Sequence, residues 1–142
     1  MDPRHFKRPE SVLVVVHTST EALLIKRADH DDFWQSVTGS LCWRESPRDA
    51  ALRELYEETG LRDCRLRATG ITRRFEILKQ WQHRYPPDCC YNTEHLFFSE
   101  INEPIQVRLN PVEHCDYQWL QFAEASEIVS SWTNRLALRS LG

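Results

Sequence analysis

Glu54, Glu57 and Glu58 stand at positions i, i+3 and i+4. A helix turns by about 100° per residue, so the three carboxylates share a sector of roughly 100°. Like charges crowded in this way repel, and the helix gains nothing from them. A hard divalent cation removes that penalty, and carboxylate oxygens are the donors that Mg²⁺ prefers. The competing reading is a solvated acidic face with Arg48 and Arg53 as ion-pair partners, the commoner fate of a charge run. The triplet alone does not separate the two.

The elements that must position these groups can be read from local signals. Residues 46–59 read as a helix. Ser46 suits the N-cap, Pro47 the first helical position, and Asp49 supplies an acid in the first turn. Gly60 ends the helix as a left-handed cap. Ala51, Leu52 and Leu55 fall on another face, where they can pack on a sheet. The β-branched run 11–17 reads as a strand buried on both faces, with 22–27 as its hairpin partner through residues 18–21. Further strands are expected at about 65–79, 94–101, 105–109 and 115–121, separated by a loop from Trp81 to Asn92 that contains Pro86-Pro87. Residues 123–141 read as helical. The pattern predicts one α/β (α+β) domain spanning 1–142, and leaves strand order open.

Composition narrows the function classes. The 142 residues carry a formal net charge of −3, so no global positive field draws the chain to nucleic acid or membrane. Any polyanion must be held by a local basic cluster or a metal. The five cysteines are odd in number and lack C-x-x-C spacing, which fits reduced thiols in a cytoplasmic protein better than a disulfide framework or a zinc knuckle. Cys89-Cys90 has no matching partner set. His83, His95 and His114 show no zinc-ligand spacing. The first residues, Met1 to His5, lack the apolar core of a signal peptide. The run Val12–Val16 is too short to span a bilayer. Oligomeric state is not readable.

The wider spacing decides between the two readings of the triplet. Gly39, Glu45 and the run Arg53-Glu54-Leu55-Tyr56-Glu57-Glu58-Thr59-Gly60-Leu61 resemble the Nudix box without a gap. The resemblance implies the Nudix fold, a mixed β-sheet sandwiched between α-helices with a loop-helix-loop catalytic motif. It also implies a Mg²⁺-dependent pyrophosphohydrolase, with Mn²⁺ a substitute, in which water attacks a phosphorus of a phosphoric anhydride. By the same resemblance Glu54, Glu57 and Glu58 are catalytic and hold the metal, and Arg53 orients a glutamate. Gly39 lets the backbone turn beside the metal, and Glu45 and Gly60 complete the motif. One departure stands out. Many such boxes carry Gly-Glu before the helix, where this chain has Arg44-Glu45 after the bulky Leu41-Cys42-Trp43. That puts the loop conformation in question and leaves the ligands intact.

Outside the box, short stretches resemble one bacterial branch of the family, which hydrolyses dihydroneopterin triphosphate in folate synthesis. They include residues 7–9, 33–39, 75–77, 83–85, 92–94, 113–120 and 131–135. The resemblance implies that Glu113 completes the metal and catalytic set; the alternative is a surface acid. Lys7 and Arg27 would hold phosphates, and Thr38 would offer a hydroxyl. Phe75, Glu76, Ile77 and Leu78 would form a wall for a pterin, unless Phe75 is simply core. Ser131 and Asn134 would line the site, with a helix N-cap as the rival role for Ser131. Trp34, Trp119 and Trp132 read as packing residues.

The leading expectation is hydrolysis of 7,8-dihydroneopterin 3′-triphosphate to the monophosphate and pyrophosphate. The rivals are a (deoxy)nucleoside triphosphate pyrophosphatase of pool sanitation and a non-catalytic nucleotide sensor. The intact Glu54, Glu57 and Glu58 argue against the sensor. The catalytic base stays open among Glu58, Glu113 and a hydroxide on the metal.

Overall fold

Val12, Val14, Val15 and Val16 are each fully buried, which a strand allows only when both faces of its sheet are covered. That strand, β1 (Glu10–His17), lies mid-sheet in the computed structural model, which describes residues 5–62 and 65–142. The other elements are β2 (Glu21–Arg27), β3 (Trp34–Gln35), β4 (Val37–Ser40), α1 (Pro47–Thr59), β5 (Arg65–Glu76), β6 (Tyr91–Glu100), β7 (His114–Gln121), α2 (Phe122–Ile128) and α3 (Trp132–Arg139). The sheet runs β3-β2-β1-β6-β5, with β4 also pairing β1 and β7 pairing β2. Only the β1–β6 pair is parallel among the pairings of the described residues.

Alternation along β1 divides the core in two. Val12, Val14 and Val16 join Ala50, Ala51 and Leu55 of α1. Leu13 and Val15 join Ala125 and Val129 of α2 and its following turn, and Ala137 and Leu138 of α3. The sheet is therefore mixed and lies between helices, as the box resemblance implied.

Several local expectations need correction. Residues 105–109 form no strand. Their alternating apolar residues pack on the α1-side core, with Val107 buried in it and Leu109 against it. Their backbone is instead held at single points, such as Arg108 N–H to the Thr59 carbonyl at 3.1 Å. Strand β5 stops at Glu76, and the expected loop begins as a 3-10 turn over Lys79–Arg84 before β6 starts at Tyr91. The C-terminal helix is two short helices, broken at Val129–Ser131. Strands β3 and β4 were not anticipated.

Candidate active site

Local chemistry fixes the carboxylate helix. The Ser46 hydroxyl accepts the Asp49 N–H at 3.1 Å, and Gly60 closes α1 at φ 79° with its N–H on the Tyr56 carbonyl. Ala51 and Leu55 are buried as expected. Leu52 is not: it is 41% exposed, too far around the helix to reach the sheet.

Arg53 ties the box together. Its guanidinium donates to both Glu45 oxygens at 2.8 and 2.9 Å, to Glu54 Oε1 at 2.7 Å, to Glu57 Oε2 at 3.3 Å and to the Ser40 carbonyl at 3.1 Å. The fork holds the Glu45 carboxyl down at about 2, with the Cys42 N–H helping against partial burial. Glu57 is exposed on the outer flank of the helix. Gly39 has a role different from the expected turn. It lies within β4 without a left-handed φ, and a Cβ there would overlap the Glu54 carboxylate. The glycine makes room for the carboxylate.

Glu58 is 1% exposed. It accepts the Thr38 N–H at 3.2 Å and lies 3.3 Å from His114 Nε2. Burial lowers the His114 pKa to about 4, with the Arg27 charge adding to the effect, so His114 is neutral at pH 7 and the contact is not an ion pair. No Lys or Arg among the described residues pairs with Glu58. Burial, then the charges of Glu54 and Glu113, push its carboxyl well above the usual range. Glu54 is raised too, by burial first, with Arg53 opposing. Glu58, the exposed Glu113 and the buried His114 offer ligand atoms all within 4.8 Å of one another. Adjacency to Glu113 was the only sequence signal for His114.

A cavity of about 270 Å³ opens beside this cluster. Lys7, Thr38, Phe75, Glu76, Ile77, Leu78, Ser131 and Asn134 all line it, together with Gly39. The Thr38 hydroxyl donates to the Val12 carbonyl at 2.8 Å, so it braces the sheet as well as facing the cavity. Ser131 caps α3, accepting the Asn134 N–H. Asn134 is fully buried and is locked to Ser36, accepting its N–H at 2.8 Å and donating to its hydroxyl at 2.9 Å. Burial, then Arg84 and Arg27, lower the Lys7 pKa, which marks a local basic cluster at the rim. Arg27 does not line the cavity. Its fork is engaged by Asp29 at 2.7 and 2.8 Å, and it stacks on Trp81 and Phe33, which do line it. Ser11, Gln35, Asn92 and Glu94 also line the cavity and carried no site expectation. They converge from three strands, which local spacing cannot reveal.

Cys42, Cys89, Cys90 and Cys115 are free thiols, and Cys64 lies outside the described residues. No described helix is long and apolar enough to cross a membrane.

Comparison with known proteins agrees with this geometry. The NUDIX domain family profile matches residues 7–139. The chain is 37% identical to the dihydroneopterin triphosphate diphosphatase of Escherichia coli K12, across 97% of this chain and 95% of that one. It is 34% identical to the Haemophilus influenzae enzyme of the same name, across 94% and 87%. The solved E. coli dihydroneopterin triphosphate pyrophosphohydrolase superposes with a TM-score of 0.89 at 36% identity, covering 95% of both chains. With the box carboxylates gathered on α1, the Nudix sheet around them and relatives matching nearly end to end, the chain belongs to the Nudix hydrolase family.

Proposed function

We propose that this protein hydrolyses 7,8-dihydroneopterin 3′-triphosphate to the monophosphate and pyrophosphate, with Mg²⁺, in the cytoplasm. The observation that carries the reading is one cavity lined both by Thr38 and Gly39, which adjoin the Glu58 and Glu54 carboxylates, and by the polar side chains of Asn92 and Asn134. A triphosphate tail and a flat polar ring need those two sets of groups. The names of the relatives at 37% and 34% identity support the same substrate. Free thiols and the lack of a membrane-spanning helix among the described residues support the compartment.

The donor set fits a divalent cation. Glu58 is buried without a cationic partner among the described residues, in a cluster with the Glu113 carboxylate and a ring nitrogen of the neutral His114. Glu54, Glu57, Glu58 and Glu113 would hold the metal. When bound, it supplies positive charge against the anhydride oxygens as the leaving group departs. The chain's own groups do the rest. Lys7 at the rim places a point charge against the phosphates. Arg53 keeps Glu54 in one rotamer through the 2.7 Å bond. Glu58 or Glu113 would receive the proton of the attacking water, unless the metal delivers it already as hydroxide. Its oxygen bonds to phosphorus as the P–O bond to the pyrophosphate breaks. The cavity wall around Phe75 and Ile77 keeps solvent from the ring.

The test is kcat/KM for dihydroneopterin triphosphate, dATP, GTP and 8-oxo-dGTP at the same Mg²⁺ concentration. The pterin should lead by at least about tenfold, roughly 1.4 kcal/mol of transition-state preference. A nucleotide that equals it ends the folate reading and leaves the family assignment untouched.

A further inference from the structure

The inner end of the cavity contains a buried acid that the hydrolytic chemistry does not use. Glu94 is 6% exposed, lines the cavity and makes no ion pair among the described residues. Arg73 faces it across the β5–β6 ladder without bonding to it. Two residues earlier on the same face of β6, Asn92 is 2% exposed. Its Nδ2 donates to the Ser11 hydroxyl at 2.8 Å, which leaves its Oδ1 buried with no partner among the described residues. Phe75 is the cross-strand partner of Asn92 and borders the same space. Packing alone would be served better by apolar side chains here, because a buried acceptor with no donor costs about 1–3 kcal/mol.

We propose that Glu94 and Asn92 select the substrate ring, their oxygens accepting the adjacent ring N–H and amino N–H of a 2-amino-4-oxo edge. Pterins carry that edge, and guanine carries its equivalent. An adenine edge presents an acceptor where the carboxylate needs a donor. A hypoxanthine edge keeps the ring N–H and lacks the amino group. Hydrogen bonds to a carboxylate are the strong kind, and a site built for them rejects a ring that leaves them unmade. Burial lifts the Glu94 carboxyl to about 7, with Thr133 and Arg73 opposing. The group is thus partly ionised at neutral pH, and a pair of donors on the ring favours the ionised form.

This inference rests on the cavity being the ring site, so its test is arranged to fail separately from the pterin assignment. Wild type is titrated calorimetrically with neopterin monophosphate, GMP, IMP and AMP in the absence of metal. It is then assayed with the four matching triphosphates (dihydroneopterin triphosphate standing for the pterin), alongside Glu94→Gln. Wild type should bind GMP at least about tenfold more tightly than IMP or AMP. Glu94→Gln should lower kcat/KM for the pterin and for GTP by about a hundredfold and for ITP, which keeps only the ring N–H, by less, leaving ATP within about threefold. GMP and IMP binding equally to wild type would overturn the proposal with no variant involved. So would a uniform loss across all four triphosphates in Glu94→Gln, which is the signature of a packing role. A protein that ignores the pterin yet separates GMP from IMP in this way refutes the folate reading and keeps the ring-edge one.

Discussion

At the scale of single residues, the site is organised by one cation and one missing side chain. Arg53 touches three carboxylates, and Gly39 yields the space that Glu54 fills. Glu58 has neither form of relief, since its neighbours are a backbone N–H and a neutral histidine. Glu58→Gln keeps the shape and removes one crowded buried charge. Turnover should fall by at least about a hundredfold at saturating Mg²⁺, while metal-free thermal stability holds or rises slightly. Near-normal turnover by the folded variant would remove Glu58 from the metal site. The box residues were legible in the sequence because one helix presents them at fixed spacing. The reason for Gly39 was not, because its constraint is a side chain fifteen positions away. His114 was equally hidden: a lone histidine acquires meaning only when β7 sets it against α1.

At the scale of elements, the turn into α1 carries a cost. Arg44 has φ 73°, in the left-handed region that favours glycine. This is the position where the chain departs from the family's usual Gly-Glu, and the arginine there adopts a φ that a glycine would take without strain. A non-glycine residue there costs roughly 1–2 kcal/mol, offset in part by the greater entropy that glycine loses on folding. Arg44→Gly should therefore stabilise the protein by about 1 kcal/mol, raising Tm by roughly 3 °C. A lower Tm would mean that the Arg44 side chain contributes more than its backbone costs. The helix, its caps, β1 and β2 were readable from strong local signals. The 105–109 segment misled because alternation reports which side is buried, and a strand also needs a neighbour for its ladder. Strands β3 and β4 are too short for any periodicity to register.

For the whole molecule, pH dependence follows from acids buried without counter-charges. Glu94 titrates at about 7 when folded against an ordinary value of 4.5. The folded state therefore holds its proton more tightly, and this group's contribution to stability declines as pH rises from about 4.5 to about 7, then levels. Glu94→Gln lacks that loss. In urea unfolding across pH 4.5–8, the variant should gain on wild type by at most roughly 3 kcal/mol through that window. Glu58 shifts in the same direction, so only the difference between the two proteins isolates Glu94. A gap that stays constant with pH would show that Glu94 ionises freely in the folded protein. The sequence marked 92–94 only as one of the stretches that resemble the pterin branch; the burial of Asn92 and Glu94 and their facing of one cavity were not visible in it. The cavity exists because β6 lies parallel to β1 and α3 closes over both, contacts between residues some eighty to a hundred positions apart.

The short strand β4 is the hinge between two otherwise separate surfaces. Thr38 binds Glu58 on one side, Gly39 clears Glu54, and both also border the cavity. Beyond β4, the carboxylates come from α1 and the segment before β7, and the inner end of the cavity from β1, β6 and α3. With the ring bound as proposed, mutations can accumulate at its end of the cavity without disturbing the carboxylates. A lineage built this way can acquire a new substrate by exchanging a few strand residues while its reaction stays constant. For an engineer, positions 92 and 94 are the dial, and residues 38–39 the part to leave alone.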